Sequence, residues 1–200
     1  MFSPEQIRAL KIFNQSITMR PIPIDQQEVI RNGKDIWCAD WWTIEVLKCL
    51  FNGEEMYRAD PPPNRLKHNK LWSMEQIVTA KDAKLGMLKL LGENKDFSDT
   101  LWICEVGRGI DILLASFVKP WKKIVCYDSN EYILEEVNLY FKGQLGLPIE
   151  TFRMNSGNFD FNTVTEKVVM VANITRLGEP QKELIKNKDN ILEIFDGRRL

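Results

Sequence analysis

The chain has 200 residues, 44% of them hydrophobic and 28% charged, with a formal net charge of −1. That suits one globular domain, or one with an attached subdomain, with enough apolar residues for a real core. A near-neutral balance provides no global positive field, so nucleic acid would need a local basic patch.

The first half reads as helices and loops. MFSPEQIRAL has no basic stretch ahead of an apolar core, so a secretory signal is not expected and a cytoplasmic location is. Ser3 can cap a helix, Pro4 suits its first position, and Gln6 can close a capping box. Ile7, Leu10 and Phe13 then fall at helical spacing. RPIPID, from Arg20 to Asp25, interrupts regular structure, because proline removes a donor and restricts its neighbour. DWWTIEVLKCLFNG predicts a second helix, with Asp40 as its cap and Asn52-Gly53 as its stop. ADPPPNR (Ala59 to Arg65) must be a loop. SMEQIVTAKDAKLGMLKLLG predicts a third helix, with Ser73 and Gln76 as a second capping box and Gly92 as a left-handed stop. No apolar run reaches the ~20 residues of a bilayer span, so no membrane partner is expected.

Some residues here invite a functional reading. Trp37, Trp41 and Trp42 suit core packing or an interface, or the wall of a substrate pocket. RLKHNK (Arg65 to Lys70) beside Trp72 is a solvated loop or a small contact for phosphate and base. The 4 cysteines contain no CxxC pair and the chain has 1 histidine, His68, so no metal site is expected. Cys104 and Cys126 lie in apolar runs and read as buried free thiols.

After Asp99 the pattern changes. LWICEV, KIVCYD, TFRMN, KVVMVAN and NILEIFDG read as strands. IDILLASFV, NEYILEEVNLYFKGQLG and PQKELIKNK read as helices between them, with a loop alone linking the third and fourth strands. This alternation predicts a mostly parallel α/β sheet. The expected organisation is a helical module over 1–98 and a three-layer Rossmann-like domain over 99–200.

The stretch LWICEVGRGIDILLASF carries the functional signal. An apolar strand meets Glu105, then Gly107 and Gly109, and a helix starts at once. Backbone at the carboxyl end of a parallel strand borders the crevice where open α/β sheets bind ligands. Glycine permits positive φ at Gly107, and at Gly109 it lets a ligand approach the backbone. A dinucleotide turn wants GxGxxG, but Ile112 stands where the third glycine should be. An NAD-dependent reductase is therefore the weaker reading.

The string Glu105-x-Gly107-x-Gly109-x-Asp111 resembles motif I of class I S-adenosylmethionine-dependent methyltransferases, acid-x-Gly-x-Gly-x-Gly. It departs from that motif at Asp111. The resemblance spans about Leu101 to Phe195. It implies S-adenosyl-L-methionine as cofactor, with Glu105, Gly107 and Gly109 at its methionine end. It further implies Asp128, at the end of the second strand, on the ribose hydroxyls, and Asn155 with Ser156 near the adenine. Asn173, ending the fourth strand, would stand nearest the transferred methyl.

Each residue also has a plainer role: a tight turn at the glycines, a helix N-cap at Asp128, turn residues at Asn155 and Asn173, and a salt bridge from Glu105 to Arg108 or Arg176. NITR (Asn173 to Arg176) replaces the family's NPPY-type motif, and five strands are read where the family has seven. The first expectation is thus a methyltransferase acting on a small molecule or nucleic acid. The second is a catalytically inactive methyltransferase-like module for binding or assembly, with oligomerisation through an open sheet edge.

Overall fold

The computed structural model describes residues 2–19, 50, 74–154, 159–172, 179–195 and 198–199. The chain divides into two compact units, Met1–Asp82 and Ala83–Leu200. In the first, helix α1 (Pro4–Met19) opens with the expected capping box. The Ser3 N–H donates to Gln6 Oε1 at 2.9 Å, and the Gln6 N–H donates to Ser3 Oγ at 3.2 Å. Leu10 and Phe13 are fully buried on its apolar stripe. Of the second predicted helix only Leu50 is described, helical and buried; the proline loops, the three tryptophans and the basic RLKHNK run lie outside the described residues.

Helix α2 (Met74–Glu93) is followed by the strand-helix alternation. Its order is β1 (Thr100–Cys104), α3 (Ile110–Ser116), β2 (Lys123–Asp128), α4 (Glu131–Val137), a π-helix (Asn138–Gln144) and β3 (Ile149–Arg153). A 3-10 turn (Phe161–Thr163), β4 (Val168–Ala172), α5 (Glu179–Lys186), β5 (Ile191–Phe195) and β6 (Arg198–Arg199) complete it. The strands form one sheet in the order β3-β2-β1-β4-β5-β6. β1 to β5 are parallel, and β6 pairs antiparallel with β5. This is the expected Rossmann-like α/β fold.

Helices cover both faces. Trp102, Val125, Met170 and Ile191 share one face with Phe161 and Ile185 of α5. On the other, Asn138 donates its Nδ2 to Thr151 Oγ1 at 2.8 Å, and Thr151 is the register partner of Cys126. The π-helix therefore packs on the Cys126 face. Every residue of β1 and β4 is buried, as central parallel strands require.

Four local expectations need correction. Gly92 is not left-handed; α2 runs through it to Glu93. The stop is Asn94, whose backbone N–H and side-chain Nδ2 both donate to the Leu90 carbonyl, at 3.1 and 2.8 Å. β3 begins at Ile149 rather than Thr151, because the Pro148 carbonyl already accepts the Ile124 N–H at 2.9 Å. The helix after β2 changes to π register at Asn138, where the Leu145 N–H reaches the Tyr140 carbonyl at 3.0 Å. The sheet edge beyond β5, read as open, carries β6 over two residues. Among the described residues no helix is long and apolar enough to cross a membrane.

Candidate functional site

The strand order reverses at β1, with β2 and β3 on one side and β4 and β5 on the other. A crevice opens at such a switch point, outside the carboxyl ends of the strands. The turn from β1 into α3 borders it. Glu105 leaves the strand at φ 60, a left-handed conformation uncommon outside glycine. Its N–H and that of Val106 both donate to the Tyr127 carbonyl, at 2.7 and 3.2 Å. The turn is thereby anchored on β2. Gly107 follows at φ 51 and Gly109, the cap of α3, at φ 86.

The expected roles of the two glycines need correction: ligand approach is expected at Gly109, but the open position is Gly107. A Cβ on Gly107 would meet nothing within 4 Å. This is the position at which a ligand can approach the backbone. A Cβ on Gly109 would stand 2.3 Å from Cε2 of Phe141, a fully buried ring of the π-helix. Gly109 is thus glycine for packing as well as for φ, and its Cβ direction faces the π-helix rather than open space.

Asp128 ends β2 at 7% exposure. Its Oδ2 accepts the Gly107 N–H at 3.2 Å, and its Oδ1 accepts the Asn130 N–H at 2.9 Å. The cap of α4 is Asn130, whose Oδ1 accepts the Tyr132 N–H at 3.0 Å. Asp128 instead joins the carboxyl end of β2 to the glycine turn. A carboxylate at this strand end is the kind of acceptor that ligand hydroxyls need.

Arg108, between the glycines, is buried, and its guanidinium meets Glu136 Oε2 of α4 at 3.2 Å. It also lies 5.6 Å from the Tyr132 ring centroid. Asp111, which departs from the motif, faces Lys84 of α2 at 2.5 and 2.8 Å from its two oxygens. Its charge is answered inside the fold.

The nearby thiols do not suit nucleophilic work. Burial, and then the Glu105 charge, pushes Cys104 up to about 12, and burial pushes Cys126 up as well. Both are free cysteines, as their apolar surroundings implied. Burial also raises the Tyr127 phenol to about 12.

The structure brings Glu105, Gly107 and Gly109 together with Asp128. Asn155, Ser156 and Asn173 lie outside the described residues, as does Arg176. The sequence offered Arg108 as a partner for Glu105 and Phe141 as part of an apolar helix face, but not the pairing of Arg108 with Glu136 or the contact of Phe141 with Gly109. No local signal marked Glu136, or set Phe141 beside the glycine turn.

A separate open cavity of about 620 Å³ lies on the α5 face of the sheet. Trp102, Tyr127, Phe152, Phe159 and Glu166 are among its walls. It extends toward the amino end of β1, where Glu166 Oε2 is 3.4 Å from Thr100 Oγ1. Its walls include none of the residues from Glu105 to Gly109.

No protein-family model matches the chain, and no curated protein sequence matches it. Among solved structures it is similar to a Pyrococcus horikoshii protein described as a "putative RNA methyltransferase". The identity is 12% and the TM-score 0.43, over 96% of this chain and 72% of that one. A likeness at that level carries no argument about activity.

Proposed function

We propose that this chain is an S-adenosylmethionine-dependent methyltransferase whose cofactor lies across the carboxyl ends of β1 and β2. One observation carries the reading. Asp128 and the open glycine turn, the two features expected to hold the ribose and the methionine end, meet at the switch point through a 3.2 Å hydrogen bond. The residues suit the group: Gly107 leaves its Cβ space empty, and Asp128 is a carboxylate acceptor of the kind that hydroxyls need. Glu105, Gly107 and Gly109 would hold the methionine end, and Asp128 the ribose. Asn155 and Ser156 would meet the adenine, and Asn173 would orient the acceptor. When bound, the cofactor supplies an electrophilic methyl on a sulfonium. The chain's own part is alignment of the acceptor, which needs no nucleophile from the protein.

The test is isothermal titration with S-adenosylhomocysteine, with NAD as control. Micromolar binding of the first alone is expected, weakened at least tenfold by Asp128→Asn. That substitution keeps the side chain's shape and one acceptor, at a stability cost of about 1–3 kcal/mol. Circular dichroism would show that it folds. Unchanged affinity in the folded variant would sink the ribose assignment.

A second reading is favoured by the same carboxylate. Both Asp128 oxygens already accept backbone N–H groups, and Asp111 is paired with Lys84. A domain that kept the fold and lost the chemistry would use these residues in this way. It would bind neither ligand.

A further inference from the structure

We infer that α4 and the π-helix continuing it clamp the glycine turn in its ligand-facing conformation, with Glu136 a positioning residue that acts through Arg108. The inference rests on the cofactor reading of that turn. The turn carries one bond of its own, from the Gly109 N–H to the Val106 carbonyl at 3.0 Å, and its backbone is tied to β2 at Tyr127 and Asp128. Glu105, Gly107 and Gly109 all have positive φ, at 60, 51 and 86°. Glycine occupies either sign of φ readily, so the local sequence permits this path without selecting it.

Beyond the anchors on β2, side chains 28 to 32 residues further on also select it. The Arg108 side chain is 1% exposed and that of Glu136 14%, and they meet at 3.2 Å. Phe141 fills the space beside Gly109. On a regular α-helix Glu136 and Phe141, five residues apart, would point ~140° away from each other. The wider π register from Asn138 onward reduces that angle, and both side chains meet the same turn. Without Glu136 the buried guanidinium would lose this carboxylate, and its tie to α4 with it. Arg108 lies between Gly107 and Gly109, so losing that tie loosens the backbone that faces the ligand. A turn held in place beforehand costs less to order on binding, and this is how Glu136 raises affinity without touching the ligand.

The experiment compares Glu136→Leu, Arg108→Met and the double variant with the wild-type chain. S-adenosylhomocysteine affinity is read by titration. Exchange of the Gly107 and Gly109 amides is read by NMR in the free protein. Each variant should bind at least tenfold more weakly, and by the same factor, because breaking either end opens one clamp. Turn amides should exchange at least tenfold faster, with those of Met170 and Val171 unchanged. Additive losses, or unchanged affinity and exchange in folded Glu136→Leu, would overturn the inference. The double variant removes both charges of this pair and serves if a single one does not fold, its affinity and turn exchange then deciding. If the wild-type chain binds no S-adenosylhomocysteine, the cofactor reading fails, and turn exchange alone decides the clamp.

Discussion

The two ends of β1 are both held by carboxylates, in opposite surroundings. At the amino end, Asp99 meets Lys119 Nζ at 2.9 Å and Lys122 Nζ at 2.6 Å, and its side chain is 48% exposed. Lys119 also donates to the carbonyls of Lys95 and Ser98 and lies 4.7 Å from the Trp121 ring centroid. At the carboxyl end, Asp128 accepts backbone N–H groups while buried, and Arg108 meets Glu136 almost out of water. Water screens the first arrangement and competes for its groups. The second has little access to water, so a lost partner there leaves a polar group stranded. One end tolerates change, and the other, which borders the crevice, does not.

The largest expected effect tests that contrast within the sensitive end. Gly109→Ala combines a left-handed φ with a Cβ 2.3 Å from Phe141. Backbone strain and overpacking together should cost about 3–5 kcal/mol. Gly107→Ala meets only the φ penalty, about 1–2 kcal/mol. Urea unfolding of both variants would measure the difference. Equal losses would mean that the turn is not packed against the π-helix as described.

A smaller effect lies at the last residue of β1. The Cys104 thiol is raised from 9.0 to about 12, chiefly by burial. Its protonated form is therefore favoured in the folded state. The stability linked to it is fully present below pH 9 and is lost as pH climbs toward 12. Iodoacetamide at pH 8 should leave Cys104 and Cys126 unmodified in the native protein and alkylate both in urea, as read by mass spectrometry. Labelling of native protein at the unfolded rate would show that the carboxyl end is open to water.

The parallel sheet was legible because buried strands leave short apolar runs and the intervening helices keep their own period. KIVCYD has the bounds of β2, and the Ser3–Gln6 capping box is present as its spacing implied. The division of labour between the glycines was read the wrong way round, with ligand approach given to Gly109. Phe141 is 32 residues beyond Gly109 and Glu136 is 28 beyond Arg108, so no local window contains either pair. NLYFKGQ shows no pattern that separates π from α register, since its buried members, Tyr140 and Phe141, suit both. β6 is two residues long, too short for any periodicity to show. The role of Asp128 was legible only by position: a carboxylate ending a strand must accept hydrogen bonds, but from which donors is decided in three dimensions.

The smallest effect belongs to the amino end. Hydrogen bonds from Lys122, then Lys119, hold the Asp99 carboxyl down at about 2, against an ordinary 3.8. A lowered carboxylate stabilises the fold above its ordinary value, and that contribution disappears as pH falls from about 4 through 2. The group is half-exposed, so its pairs should also weaken with salt, since the Debye length shrinks from about 10 Å at 0.1 M to 3 Å at 1 M. Asp99→Asn should therefore lower the urea midpoint slightly at low salt and not at all at 1 M, or at pH 2. Glu136→Leu should lower it by the same amount at both salt concentrations, because ions do not enter between Glu136 and a guanidinium that is 1% exposed. If salt erased both differences alike, the carboxyl end of β1 would be as wet as the amino end. The glycine turn would then have no dry anchor on α4.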